Sequence, residues 1–323
     1  MRSLDRPLQG PHIEQMRQDF YEALERRAIE GKPTKALDSQ ERELCNKMLA
    51  DYAEALKTLY QIDVHSGIDR PQWLDVPLKD WMEFTPYQRH LAVEDARTVY
   101  LGHIWRNHWD LIPAGKCLDM GCGTGMFLDL MQTNDTKHEW HGIELDNLSL
   151  PSDHIRKKIP RYQIYRGKQL PYEDKEFTGI TLHNVLHHVK PEMRKAFLNE
   201  IYRVTKPGAH IIVTEEMAHG LQRKDYPEQF VREGGSHILD QALQKLDGCF
   251  YPNSERGYQQ SAPDWQKELD EAGFSPAFAG CCGTYNVAGI PIGENYMVFT
   301  RREDSKKHDR EERFFFDRNA YSV

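Results

Sequence analysis

Residues 116–128 read KCLDMGCGTGMFL, and this stretch decides the fold. It begins as a short apolar run, passes through Gly121, Gly123 and Gly125, and continues with apolar residues at helical spacing. This succession predicts a buried strand, a tight turn and a helix. Glycines in such a turn tolerate a positive φ and carry no Cβ, so a ligand can lie directly against the backbone. The free N–H groups at the helix start favour an anion or a carboxylate.

Acidic residues flank this turn on two predicted strands. Asp119 precedes the glycines, and a second apolar strand over His141–Asp146 carries Glu144 near its end. An acid that follows the second strand of a nucleotide-binding unit can accept hydrogen bonds from ribose hydroxyls. The glycine spacing is G-x-G-x-G, which differs from the G-x-G-x-x-G fingerprint of dinucleotide-binding domains.

Together, the turn and the two acids resemble the class I S-adenosylmethionine-dependent methyltransferases of the small-molecule type, over about residues 105–301. The resemblance implies an α/β fold, with a doubly wound, seven-stranded, mostly parallel sheet of the Rossmann-like type and an N-terminal helical extension. It implies three regions: a helical extension and lid segment (1–104), a catalytic domain (105–301) with an insertion (217–260), and a charged C-terminal tail (302–323). The implied cofactor is S-adenosyl-L-methionine.

The resemblance also predicts which residues contact the cofactor. In the family an acid ahead of a Leu-Pro-aromatic segment binds the adenine amino group, but residues 166–168 (RGK) contain no acid. A backbone carbonyl or Gln169 could replace it. The predicted cofactor contacts are Asp119, Gly121, Cys122, Gly123, Gly125, Glu144, Leu145, Gln169 and Asn184.

Histidines gather where the fourth predicted strand ends, in residues 179–189 (GITLHNVLHHV). Ligands of open α/β sheets bind outside the carboxyl ends of the strands, so these side chains are expected near cofactor and substrate. A buried imidazole can equally serve a structural hydrogen bond. No carboxylate or thiol accompanies these histidines at metal-ligand spacing, so the sequence predicts no metal site.

A fifth strand over residues 211–216 (IIVTEE) follows a turn at residues 205–210 (TKPGAH) and ends at the same edge. A carboxylate there could hold a substrate ammonium, take a proton, or make a structural hydrogen bond. The catalytic candidates are therefore His183, His187, His188 and Glu215. The predicted substrate contacts lie in the lid, at the end of the fifth strand and in the insertion: Trp81, Tyr87, Glu216, Tyr226 and Tyr258. The aromatic residues of the lid could instead dock the extension onto the core.

The remaining elements follow from local patterns. Residues 193–203 have amphipathic spacing, and residues 261–273 predict a helix that Ser261 caps and Gly273 ends. Residues 162–165, 278–284 and 295–301 read as strands, the last two as an antiparallel pair. Apolar stripes in residues 1–60 predict helices that cover the catalytic domain or form a homodimer contact.

Composition restricts the classes of function. The net charge is −8, with 28% charged and 39% hydrophobic residues, and no recognisable RNA-binding module is present; nucleic-acid partners are therefore not expected. No apolar run is long enough to span a membrane, and the N-terminus lacks the apolar region of a secretory signal. The six cysteines show no metal-ligand spacing, which favours reduced thiols and a cytoplasmic location.

The expected reaction is transfer of a methyl group to a small polar metabolite. An in-line displacement requires an aligned donor and acceptor and exclusion of water. An oxygen acceptor needs a general base and a protonated amine must lose a proton, whereas a thioether needs neither. The sequence singles out no base, so sulfur, nitrogen and oxygen acceptors stay open, and an amino-acid-like substrate such as methionine is possible. The alternatives are intramolecular cyclisation of the cofactor's aminobutyrate arm and a catalytically silent binding partner.

Overall fold

The computed structural model describes most of the predicted catalytic domain. The described residues are 10–16, 18, 57, 75–77, 98, 101–102, 104–105, 111–145, 157–159, 161–165, 169–218, 260–287 and 290–303. The predicted substrate contacts Trp81, Tyr87, Tyr226 and Tyr258 lie outside them, as do residues 219–259 of the insertion. At Leu145 and Glu216 only the backbone is described.

Seven strands of the described chain form one sheet in the order β3-β2-β1-β4-β5-β7-β6. Strands β1 to β5 run parallel, and β7 pairs antiparallel with both β5 and β6. The chain reverses its direction of winding between β1 and β4, which confirms the predicted doubly wound, mostly parallel sheet. The strands are β1 Gly115–Met120, β2 His138–Leu145, β3 Tyr162–Tyr165, β4 Phe177–His183, β5 Thr205–Ala218, β6 Phe274–Val287 and β7 Ile290–Arg301.

Helices cover both faces of the sheet. The helices are α1 Met126–Asn134, α2 Pro191–Val204 and α3 Ala262–Glu271, and a one-turn 3-10 helix spans Leu186–His188. Leu118 packs in one buried cluster with residues of α2 and α3, whereas its neighbour Cys117 packs in another with residues of α1. Successive strand residues point to opposite faces, so apolar residues at consecutive positions fill both layers. For the same reason all seven residues of β4 are buried.

The ends of the helices follow their sequence signals. The α1 helix starts directly after Gly125, which has φ 83°. The Ser261 hydroxyl accepts the N–H of Asp264 at 3.4 Å and donates to its carboxylate at 2.6 Å, so Ser261 caps α3 as predicted. Gly273 follows α3 with φ 103°, a conformation that glycine adopts at low cost.

Several strands are longer than the sequence patterns predict, β5, β6 and β7 among them. β5 already begins at Thr205, so the predicted turn over residues 205–210 lies inside the strand as an irregularity in pairing. Phe177 pairs with Thr205 but Gly179 pairs with His210, so the β5 chain carries extra residues opposite β4. β6 and β7 extend to Val287 and Ile290, beyond the predicted segments, because the two strands pair with each other up to their connection.

Asp135 organises the connection between α1 and β2. Its Oδ1 accepts the N–H groups of Lys137 at 2.8 Å and His138 at 3.0 Å. Its Oδ2 accepts the Trp140 indole N–H at 2.7 Å and lies 2.7 Å from Nδ1 of His138. The side chains of Asp135 and His138 are fully buried, so this carboxylate satisfies several polar groups that water cannot reach.

Residues 10–16 pack against the outer side of α1. Ile13 and Met16 are buried in the same cluster as Met126. The backbone N–H of His12 donates to Oδ2 of the buried Asp129 at 3.0 Å. In the part of the chain that the structure describes, no helix has the length and apolar character needed to cross a membrane.

Replacing Asp135 with alanine should lower the free energy of unfolding by about 3–5 kcal/mol, because buried donors lose their common acceptor. Urea denaturation of the wild type and the variant measures this loss. Asp174→Ala is the control: the Asp174 side chain is 73% exposed beside Arg203, so its removal should change stability by less than about 1 kcal/mol. Equal losses in the two variants would contradict the role given to Asp135.

Candidate active site

The glycine turn after β1 is fixed by backbone hydrogen bonds to the neighbouring strand. The N–H groups of Gly121 and Cys122 donate to the carbonyl of Ile143 in β2, at 2.8 and 3.2 Å. On the far side, the Tyr162 hydroxyl donates to the carbonyl of Gly123 at 2.8 Å. The turn is therefore held in place by β2 and β3 before any ligand binds.

Two glycines of this turn are required for different reasons. Gly121 has φ 76°, and a Cβ there would lie 2.5 Å from Cγ2 of Val185. Gly123 has φ 53°, and a Cβ there would meet nothing within 4 Å. Gly121 thus allows close packing of two loops, whereas the backbone at Gly123 borders open space that a ligand could occupy.

Two buried carboxylates face this turn. Oε2 of Glu144 accepts the N–H of Gly123 at 2.6 Å, so the acid at the end of β2 is tied directly to the turn. Oδ1 of Asp119 accepts the hydroxyl of Thr181 at 2.8 Å. Asp119 and Glu144 are only 2% and 4% exposed, respectively, so both carboxylates stand in surroundings of low polarity.

Burial, opposed by the Thr181 hydrogen bond and reinforced by the nearby Glu144, raises the pKa of the Asp119 carboxyl to about 7. A carboxyl with this pKa exchanges its proton near neutral pH. The site therefore favours a ligand group that donates hydrogen bonds or carries a positive charge.

His187 and Glu215 form the second polar feature of this edge. Glu215 lies in β5 immediately after Thr214, which pairs with the last residue of β4. Nδ1 of His187 is 2.6 Å from Oε2 of Glu215, and Oε1 accepts the N–H of Leu186 at 2.8 Å. Glu215 is fully buried and His187 is 7% exposed. The structure thus brings together two of the four predicted catalytic residues.

The other two candidate histidines lie in different environments. His183 is buried, with Nδ1 3.1 Å from the Thr214 hydroxyl and its ring edge-on to Phe127. His188 is exposed, and its ring centroid lies 4.0 Å from that of His187.

Asn184 and Gln169 were predicted from sequence as cofactor contacts. Asn184 is buried with φ 53°, and its N–H donates to the Thr214 carbonyl at 2.9 Å, so it turns the chain directly after β4. Gln169 is exposed between β3 and β4. The predicted contact of Gln169 with adenine stays a prediction.

Sequence reasoning missed Thr181, Tyr162 and Thr214, which hold Asp119, Gly123 and His183 in place. Thr181 pairs with Asp119 across β1 and β4, so the two side chains emerge on the same face. The alternation within β4 could have placed Thr181 and His183 on one face of the strand. Their cross-strand partners depend on the strand order, which local patterns do not contain.

The opposite edge of the sheet carries a shallow groove of about 780 Å³. Its walls include Lys116 and Glu176, whose side chains form an ion pair at 2.7 Å. The groove lies at the amino ends of the strands, away from the glycine turn. Within the described residues, no group of three or more histidine, cysteine, aspartate or glutamate side chains could hold a metal ion.

A glycine turn at the switch point between β1 and β4, with buried acids ending neighbouring strands, defines a Rossmann-like nucleotide-binding domain. Residues 118–213 match the family model described as a methyltransferase domain. Over these residues the chain contains a methyltransferase domain of the S-adenosylmethionine-dependent class. S-adenosylmethionine is the cofactor of this class.

Several solved structures are similar to this chain. One is an S-adenosylmethionine-dependent methyltransferase from Methanosarcina mazei, at 16% identity over 58% of this chain and 93% of that chain, with a TM-score of 0.40. Another is the 1,6-didemethyltoxoflavin-N1-methyltransferase of Burkholderia thailandensis, at 16% identity over 84% and 95%, with a TM-score of 0.42. A third is phosphoethanolamine N-methyltransferase 2 of Haemonchus contortus, at 13% identity over 62% and 53%, with a TM-score of 0.41.

The residues present fit the cofactor. Its ribose hydroxyls and its ammonium group are hydrogen-bond donors, and the buried oxygens of Asp119 and Glu144 are acceptors. Open space beside Gly123 allows a ligand to approach the backbone of the turn. The chemistry of the donors and acceptors is therefore complementary.

Gly123→Ala should weaken S-adenosylmethionine binding about tenfold or more while lowering stability by only about 1–2 kcal/mol, the cost of left-handed backbone in alanine. Gly121→Ala is its matched counterpart: the added methyl collides with Val185, so stability should fall further. Calorimetric titration and thermal denaturation measure the two quantities. Unchanged affinity in Gly123→Ala would exclude a ligand from the space beside that residue.

The raised pKa of Asp119 predicts a pH-dependent stability of the ligand-free protein. An unfolded aspartate has a pKa of about 3.9, so folding favours the protonated carboxyl and this contribution is lost as pH rises towards 7. Between about pH 4 and 7, the stability of the wild type relative to Asp119→Asn should fall by up to about 1.4 kcal/mol per pH unit. Urea denaturation at several pH values tests this; a constant difference would contradict the pKa.

Proposed function

We propose that this chain transfers the methyl group of S-adenosylmethionine to a small polar metabolite, with sulfur, nitrogen or oxygen as the acceptor atom. One observation carries the proposal: the buried carboxylates of Asp119 and Glu144 lie on the two neighbouring strands β1 and β2 at a glycine turn that is open at Gly123. An amino-acid-like metabolite such as methionine would suit the site if Glu216, the predicted substrate contact near the carboxyl end of β5, holds its ammonium group.

When bound, S-adenosylmethionine supplies a methyl group activated by a positively charged sulfur. Asp119 and Glu144 would accept hydrogen bonds from the donors of the cofactor, and the backbone of the glycine turn would lie beside it. The polar residues after β4 and at the end of β5 would line the acceptor side. Alignment of donor and acceptor in such a site can lower the barrier by about 7–11 kcal/mol.

The proposal extends to regions outside the catalytic core. Residues 1–104 would serve as a helical extension and lid, and residues 217–260 as part of the acceptor pocket, where Trp81, Tyr87, Tyr226 and Tyr258 are predicted substrate contacts. The packing of Ile13 and Met16 against α1 supports an extension that docks on the domain. A homodimer through the N-terminal helices stays a prediction.

Calorimetric titration with S-adenosylmethionine and S-adenosylhomocysteine tests the cofactor site. The wild type should bind with micromolar affinity, and Glu144→Ala or Asp119→Ala should weaken binding about 10- to 150-fold, as expected for a hydrogen bond to a charged group. Glu139→Ala is the control, because this acid lies in the same β2 strand with its side chain 42% exposed beside His141. Full affinity in both site variants would contradict the assignment.

Product analysis separates the proposed reaction from its alternatives. Incubation with cofactor and a panel of alcohols, phenols, amines, amino acids, thiols and thioethers should yield a methylated compound and S-adenosylhomocysteine. Formation of methylthioadenosine without an acceptor would instead indicate cyclisation of the cofactor. Absence of cofactor binding would support the silent binding partner.

A further inference from the structure

We propose that His187 is the general base of the methyl transfer and that Glu215 positions it, so the acceptor is a hydroxyl or an N–H group that loses a proton. This inference rests on the proposed function and narrows its acceptor. The inference depends on one contact: Nδ1 of His187 lies 2.6 Å from Oε2 of Glu215.

The Glu215 carboxylate is held in a single orientation. It is fully buried, its Oε1 accepts the N–H of Leu186 at 2.8 Å, and its Oε2 faces the imidazole. Burying a carboxylate is costly unless hydrogen bonds compensate for the lost water. The backbone and the imidazole provide this compensation from adjacent residues of one short 3-10 turn.

This orientation selects the tautomer of His187. An ionised carboxylate only accepts hydrogen bonds, so Nδ1 of the imidazole carries the hydrogen and Nε2 carries the lone pair. A proton taken up at Nε2 would produce an imidazolium that the same carboxylate stabilises. The pair therefore has the arrangement of a base oriented by a buried acid.

The position of the turn places this base beside the cofactor site. Leu186–His188 follows the carboxyl end of β4, the strand next to β1. Val185 packs so closely on the glycine turn that a Cβ at Gly121 would lie 2.5 Å from its Cγ2. Val185, which contacts the glycine turn of the proposed cofactor site, thus precedes His187 by only two residues.

The contact with a buried carboxylate favours His187 as the base. The Thr214 hydroxyl lies 3.1 Å from Nδ1 of the buried His183, and His188 is exposed. A hydroxyl can orient an imidazole but supplies no charge to stabilise an imidazolium, whereas the carboxylate of Glu215 lies 2.6 Å from Nδ1 of His187.

The balanced reaction shows why such a base defines the acceptor. The lone pair of the acceptor oxygen or nitrogen forms the bond to the methyl carbon, the carbon–sulfur bond breaks with its electrons going to sulfur, and the acceptor proton passes to Nε2 of His187. The positive charge moves from sulfur to the imidazolium, beside the carboxylate of Glu215. A thioether acceptor has no proton to lose, so its methylation needs no base.

The first test needs no substrate. In protein labelled with isotopic histidine, two-bond nitrogen–proton NMR should show His187 with its hydrogen on Nδ1, the signal being assigned by comparison with His187→Gln. In Glu215→Gln the amide N–H can donate to Nδ1, which should move the hydrogen to Nε2. A wild-type His187 with its hydrogen on Nε2 alone would overturn the inference.

The second test measures turnover with the acceptor panel. Glu215→Gln and His187→Ala should each lower kcat about 10²- to 10⁴-fold on hydroxyl or N–H acceptors, with little change in KM or in cofactor affinity. Exogenous imidazole should restore part of the rate of His187→Ala, which a merely structural role would not allow. His210→Asn is the control, because His210 lies lower in β5, half-buried, beside Thr300.

The outcomes separate this inference from the proposed function. Transfer only to thioethers, or an unchanged kcat in His187→Ala, would overturn the base while leaving the methyltransferase proposal intact. Absence of cofactor binding would overturn the methyltransferase proposal itself. If no compound of the panel is methylated, the tautomer of His187 measured by NMR decides whether the inference about this base holds.

Discussion

Five parallel strands end at one edge of the sheet, and this edge buries three carboxylates within a short distance of the chain's switch point. Each acid is compensated in its own way: Asp119 by the hydroxyl of Thr181, Glu144 by the N–H of Gly123, and Glu215 by Leu186 and His187. A buried carboxylate without such partners would cost several kcal/mol, so the glycine turn and the turn after β4 must take the shapes they have. The hydrogen bonds that compensate for the buried carboxylates therefore also hold these turns in place.

The three buried carboxylates differ in the hydrogen bonds that offset their burial, and this difference matters for function. Glu215 receives a backbone N–H and an imidazole. At Asp119, burial outweighs the hydrogen bond from the neutral hydroxyl of Thr181 and, together with the nearby Glu144, raises the pKa to about 7. An acid that is poorly compensated in the ligand-free protein gains most from a ligand that donates hydrogen bonds.

The sequence was sufficient for features that depend on local patterns. The strand, turn and helix at residues 116–128, the acid of β2 and the cap at Ser261 all follow from residues close together in the chain, and each is confirmed. The extra β5 residues opposite β4 were not predictable in this form, because Lys-Pro-Gly reads as a turn whether or not the strand continues across it. The starts of β6 and β7 were missed since Pro276 in β6, and Pro291 and Gly293 in β7, weaken a strand pattern.

The candidate base illustrates the same limit more sharply. His187 and His188 are neighbours with the same side chain, and no local rule distinguishes them. The one-turn 3-10 helix buries the first and exposes the second, and the strand pairing of β4 with β5 brings Glu215 to the buried one. Sequence reasoning could name the set of candidates, because polar residues at strand ends share an edge, but the pair depends on the strand order.

Charged side chains are partly exposed at one edge of the sheet and buried at the other. This contrast determines at which edge a single substitution should affect stability or activity. At the amino edge, Lys116 and Glu176 form an ion pair in which the lysine side chain is 41% exposed, so water screens the charges and replaces lost partners. At the carboxyl edge the acids are buried, so each hydrogen bond is strong and each lost partner is costly. A ligand bound at the carboxyl edge therefore meets fixed dipoles instead of mobile water, a condition that favours catalysis by preorganised groups. The same burial makes the active edge sensitive to single substitutions that the opposite edge would tolerate.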